Sequence, residues 1–169
     1  MKSTPMRAAL AVLFFALFPL AATWAKPADS QEVDSAAIKK LFTDFNDAFN
    51  SHDAHAATML FADDGDLIDG RASKSHGRTG IEQHLLPLFA GRLKTAHRDV
   101  SLQDIRFLRP DTATVDGYFE MSGLVGPDGA AVPPAKGLYD WIVMKQGGRW
   151  RIAVWHESNL QAFPTPPSK

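Results

Sequence analysis

The 169-residue chain contains no cysteine. Disulfides, thiolate zinc sites and a cysteine nucleophile are therefore excluded. Nor is there an excess of either charge: 18 basic residues stand against 19 acidic, a formal net charge of −1. With no basic run and no aromatic–basic stripe, nucleic acid is not an expected partner. A phosphate loop and a Gly-x-Gly-x-x-Gly fingerprint are both missing, so no nucleotide cofactor is expected. Ser73, Ser75 and Ser158 lack the strand–turn–helix setting of a Gly-x-Ser-x-Gly nucleophile. One apolar run stands out, residues 8–22, and at about 15 residues it is short for a membrane span.

That run reads as targeting. Lys2 and Arg7 give it a positive start, and Thr23-Trp24-Ala25 places small residues at the −3 and −1 positions of a cleavage site before Lys26. Residues 1–25 are thus expected to be a signal peptide, the alternative being an uncleaved anchor, and the protein to be exported to a periplasm or beyond. Residues 26–33 read as a polar linker and residues 162–169 as a proline-rich, disordered tail. Residues 34–161 remain, a length that suits one domain.

Within that domain the apolar period is helical first and strand-like later. From Val33, the positions Ile38, Leu41, Phe42, Phe45 and Phe49 recur every three to four residues, with Asp34 or Ser35 as the expected cap. Asp53 is a natural N-cap for a second short helix carrying Ala57, Leu60 and Phe61. Asp63-Asp64-Gly65 reads as a turn, residues 66–70 as a short strand and residues 71–78 as a loop. Thr79 and Glu82 form a capping-box pattern for a third helix through Leu85, Leu86 and Phe89 to Gly91, with Pro87 inside it. After Gly91 the period becomes two. Val100 and Leu102 share one phase, Ile105 and Phe107 the other, the mark of a bulge. Ala113, Val115, Phe119 and Met121 make one face of a long strand. Residues 137–145 and 149–159 form a hairpin about Gly147-Gly148. Helices first and an antiparallel meander second argue an α+β class, a curved antiparallel sheet packed on N-terminal helices as a half-open cone.

Four segments carry a family likeness: residues 60–66 (Leu-Phe-Ala-Asp-Asp-Gly-Asp), residues 77–82 (Gly-Arg-Thr-Gly-Ile-Glu), residues 105–111 (Ile-Arg-Phe-Leu-Arg-Pro-Asp), and residues 148–153 (Gly-Arg-Trp-Arg-Ile-Ala) with His156. In that order they resemble the nuclear transport factor 2-like superfamily, in particular its SnoaL-like and SgcJ/EcaC-type members. The resemblance implies a cone with a pocket between helices and sheet, and often a dimer. It implies no single reaction, because this scaffold serves isomerases, cyclases, dehydratases, binding proteins and dimerisation modules.

The last hairpin can be taken further. If Gly147-Gly148 is a two-residue loop, Gln146 faces Arg149, and an unbroken register puts Tyr139, Trp141, Val143, Trp150, Ile152, Val154 and His156 on one face. That face is expected to line the cone, with Tyr139 and His156 as its polar groups and Trp141, Phe45 and Phe49 as apolar walls around a small, largely apolar ligand. A histidine there can move a proton, and Asp69 can act as the base of a cofactor-free isomerase, lyase or hydrolase. The alternatives are a hydrogen-bonded core histidine and an Asp69 that only shapes a turn. The other face, with Asp140, Ile142, Arg151 and Trp155, is expected to be a homodimer contact. His52, Asp53 and His55 lack a third ligand at a metal-binding spacing, so no metal is expected. His76, His84 and His97 read as solvated.

Overall fold

The computed structural model describes residues 28–160; the expected signal peptide and the whole of the expected proline-rich tail lie outside them. The chain runs α1 (Ala28–Asn50), α2 (Ala54–Thr58), β1 (Phe61–Ile68), β2 (Lys74–His76), α3 (Gly77–Ala90), β3 (His97–Arg109), β4 (Thr112–Ser122), β5 (Ala135–Gln146) and β6 (Arg149–Asn159). The six strands form one sheet in the order β2-β1-β6-β5-β4-β3. All neighbours are antiparallel except β1 and β6, which run parallel. The α+β class is as expected, with one parallel pair added where β1 joins the meander.

The helical stripe of α1 is buried from Ile38 onward, and Phe45 is its centre. Its ring meets Trp141 at 5.2 Å, Trp155 at 4.7 Å and Phe61 at 6.0 Å between centroids. This aromatic cluster is the core between α1 and the sheet, and such pairs add to the area they bury. Val33, the expected first member of the stripe, is 69% exposed. The helix begins at Ala28, not in the expected linker's wake at residue 34, because nothing in residues 28–33 breaks it. Asp34 is therefore no cap. Its carboxylate points inward, accepting from Trp150 Nε1 at 2.9 Å and pairing with Lys145 Nζ at 2.8 Å.

Asp53 caps α2 as expected, accepting from the Ala56 backbone N–H at 2.8 Å. That helix stops at Thr58, and Phe61 opens β1. Residues 63–65, expected as a turn, lie within β1, where its pairing to β6 slips between Phe61 and Asp66. Gly65 lets the two strands approach closely there: a Cβ would sit 3.0 Å from the Ile152 carbonyl oxygen. The expected loop before α3 holds the short β2. The expected capping box does not form. α3 starts at Gly77 (φ +66), and Glu82 turns to His55, 3.2 Å away.

In the meander, β3 slips register between Leu102 and Asp104, which is the bulge the phase change predicts. The β5–β6 turn is the two-residue loop expected, with Gly147 and Gly148 at φ +55 and +78, conformations that favour glycine. Gln146 faces Arg149.

Candidate functional site

A second bulge decides which side chains point inward. From the turn, Gln146↔Arg149 pairing continues to Val143↔Ile152; the next pair is Ile142↔Val154, so Ala153 is an extra residue in β6. Because side chains alternate with period two, one inserted residue exchanges the faces of everything beyond it. His156 therefore lies opposite Asp140 on the outer face and is exposed. Glu157 takes the inward place opposite Tyr139. Trp155, expected on the outer face, is buried against Phe45. The inward reading of His156 and the outward reading of Trp155 are both corrected by this single residue.

The other expected pocket residues divide. Tyr139 is buried, donates its hydroxyl to the Ser101 carbonyl at 2.9 Å, and has its pKa pushed up by burial. Trp141 and Phe45 are core plugs in contact with each other. None of these three lines the cavity on the inner side of the sheet described next. Phe49 does.

That cavity lies beyond the aromatic plug, between α3 with its following turn and the ends of β1, β4, β5 and β6. Its volume is about 100 Å³. That is smaller than the about 300–1,000 Å³ of drug-sized sites and suits a small molecule or a single apolar tail, but the make-up is the usual one, mostly apolar walls and a few convergent polar groups. Here the walls include Phe49, Leu67, Leu85, Leu88, Phe119, Met121 and Trp155, and the polar lining is Asp69, His84, Glu157, Asn159, Arg71 and Arg92.

Asp69 has two tasks. Its Oδ1 accepts from the Arg71 and Ser73 backbone N–H groups at 2.9 Å each, which is turn-shaping of the kind aspartate favours. Its Oδ2 lies 3.2 Å from His84 Nε2, out of line for a hydrogen bond. His84 is not a solvated histidine; its side chain is 17% exposed. Glu157 is 11% exposed, and burial pushes its carboxyl above the usual range; Arg98 works against that shift and Asp69 with it. Behind it stands Arg98, whose Nη2 is 3.1 Å from Glu157 Oε2. The guanidinium is fully buried within a cage of rings, 5.0 Å from the Phe119 and Trp155 centroids and 5.3 Å from Phe49. Cation–π attraction offsets part of its desolvation.

Chemically, this is an apolar pocket lined by two carboxylates and an imidazole. Sequence reasoning selected Asp69 and Phe49 and passed over His84, Glu157 and Arg98. Two of those carried a signal. His84 falls on the Ile81–Leu85–Leu88 stripe of α3, and Arg98 shares the phase of Val100 and Leu102. Glu157 carried none, since its inward turn depends on Ala153.

On the outer face, Asp140 and Ile142 are exposed, Ile142 by 39%. Arg151 donates to the Met59 carbonyl at 2.8 Å. The pairing sets Asp104, Asp116, Asp140 and His156 in a row across four strands. Partial burial raises the pKa of Asp116, with Asp104 and Asp140 adding to the rise. His52, Asp53 and His55 each face a different partner: Asp53 caps α2, His55 meets Glu82, and His52 packs on Phe89.

The fold recurs in solved structures. An uncharacterised protein with a cystatin-like fold from Caulobacter vibrioides superposes with a TM-score of 0.69 at 20% identity, over 75% of this chain and 89% of that one. A ketosteroid isomerase-like protein from Erwinia carotovora atroseptica gives 0.66 at 21% identity, over 75% and 96%. An NTF-2 like protein of unknown function from Shewanella oneidensis gives 0.62 at 17%, over 74% and 98%. No curated protein matches the chain. At these identities the likeness shows the fold. The sequence profile of the SnoaL-like domain matches residues 33–156, and the chain belongs to that family.

Proposed function

We propose that the protein binds a small, largely apolar molecule in the cavity between α3 and the sheet. The observation that carries this reading is the make-up of the cavity: apolar walls with a few polar groups, among them Asp69 beside His84 and close enough to Glu157 to raise its pKa. Such a site buries a hydrophobic body and orients it by one hydrogen-bonding group. A thermal-shift screen of small apolar alcohols, ketones and acids on the mature protein tests it. Ligand at about a hundred times its Kd adds near 2.7 kcal/mol of stability. A screen in which no compound raises the melting temperature counts against the reading.

A second reading, a cofactor-free acid–base enzyme, is favoured by Glu157. A buried carboxyl with a raised pKa can hold a proton for donation, while Asp69 beside His84 can accept one from carbon next to a carbonyl. The ketosteroid isomerase-like protein on the same fold is consistent with it. For an enzyme, Asp69→Asn and Glu157→Gln each lower turnover on the order of a hundredfold or more; for a carrier they change only affinity.

The outer face supports self-association. Tyr118, Ile142 and Met144 are 49%, 39% and 38% exposed there, an apolar strip that pairing of two sheets would cover. In this reading Ile142→Arg converts a dimer to a monomer in analytical ultracentrifugation. Export belongs to the same proposal: the mature chain is expected to begin at Lys26, as N-terminal sequencing of secreted or periplasmic material would show.

A further inference from the structure

The cavity does not end at its apolar walls. Arg71 and Arg92 line it and also line an adjoining groove formed with Ala90, Gly91, Lys94, Val125, Gly126, Pro127 and Gly129. No acidic side chain lines that groove. Among the described residues, none of Arg71, Arg92 and Lys94 has a carboxylate within 4.0 Å; the carboxylates of this region pair elsewhere, Asp69 with His84 and Asp66 with Lys74 and His76. Three cations without counter-ions thus border an apolar hole in a chain whose formal net charge is −1.

Like charges so grouped repel one another unless an anion joins them. The Arg92 side of the rim is fixed by a backbone hydrogen bond. The Arg92 carbonyl accepts from the Val125 N–H at 3.0 Å, tying the turn after α3 to the loop that forms the other wall. Two guanidinium groups are suited to grip a carboxylate or phosphate through paired N–H donors. Asp69 and Glu157, lining the cavity itself, disfavour an anion within it, so the negative group belongs at the rim and the apolar body inside.

We infer that the ligand is an amphiphilic anion, with an apolar body in the cavity and an anionic head held at the rim by Arg71 and Arg92, with Lys94 beside them. This rests on the proposal that the cavity binds a ligand at all. It narrows the ligand class to acids, carboxylic or phosphoric, and sets neutral apolar molecules at a disadvantage.

The test compares octanoate, octyl phosphate, 1-octanol and octylamine on the mature protein by calorimetry at pH 8 in low salt. Octanoate or octyl phosphate is expected to bind at least about tenfold more tightly than octanol, with octylamine weakest. The preference should shrink in 0.5 M salt, because a rim contact is screened. The double variant Arg71→Gln/Arg92→Gln should bring the acids down to the level of octanol. Stronger binding by whichever acid wins separates the carboxylate from the phosphate source. Equal affinity of acid and alcohol overturns the inference and leaves the cavity reading standing. Binding of none of the four overturns both. If the double variant does not fold, the salt dependence of the wild-type preference decides alone, and a preference indifferent to salt overturns the rim contact.

Discussion

Glu157 Oε2 lies 3.1 Å from Arg98 Nη2, and the guanidinium is wholly withdrawn from solvent. Neither residue is near the other in sequence, and neither would meet the other without the extra residue in β6. Glu157 lines the cavity with Arg98 behind it, and burial raises the pKa of its carboxyl.

The titration of Glu157 follows from burial. Its carboxyl is raised above 4.5 in the folded state, so between that value and its folded pKa the native protein holds a proton that the unfolded chain has released. Its contribution to stability is complete below 4.5 and is lost as pH rises through the folded pKa. Glu157→Gln, which mimics the protonated acid, should melt close to wild type near pH 4 and gain on it as pH rises. Melting curves across that range check the sign. A wild type that gains on the variant with rising pH would mean that attraction to Arg98 outweighs desolvation.

Asp34 anchors α1 to the final hairpin. It is the acceptor for the buried Trp150 indole, and its partner Lys145 is a third exposed, so the indole bond carries most of the effect. Asp34→Ala should cost about 2–3 kcal/mol, because it leaves the indole N–H without that acceptor and the loss of a charged hydrogen-bond partner is of this size. Urea unfolding with an unchanged slope would record it.

Gly117 stands where β4 passes Tyr139. A Cβ there would collide with the Tyr139 hydroxyl and the Ser101 carbonyl oxygen, the two ends of one hydrogen bond. Gly117→Ala should break that bond and push the strands apart, at about 2 kcal/mol or more. Gly80, with open space around it, is the control: Gly80→Ala lies within α3 and should stabilise by a few tenths up to about 1 kcal/mol. Parallel melts of the two variants test the contrast.

The class and most elements of this fold are legible in the chain because period alone reports them. The α1 stripe, the slip at Leu102 and the Gly147-Gly148 turn all follow from where apolar and glycine residues fall. The site was legible only in part. A two-residue turn fixes register near Gln146 and Arg149, but Ala153 shifts it, and an alanine in a strand carries no visible mark of a bulge. His156 then looked inward on paper and Glu157 outward, the reverse of what the sheet does. Burial of Arg98 likewise depends on a cage assembled from α1, β4, β5 and β6, which no local pattern reports.

The central claim is that the space beneath α3 receives a molecule. Leu88 borders it from the helix and is only half-buried, so Leu88→Trp can fill the hollow without dismantling the core. Isothermal titration of octanoate against wild type and this variant is the most direct measurement. The account predicts saturable binding to wild type and its loss in a variant that melts as cooperatively; equal affinity in both would place the ligand elsewhere and contradict it.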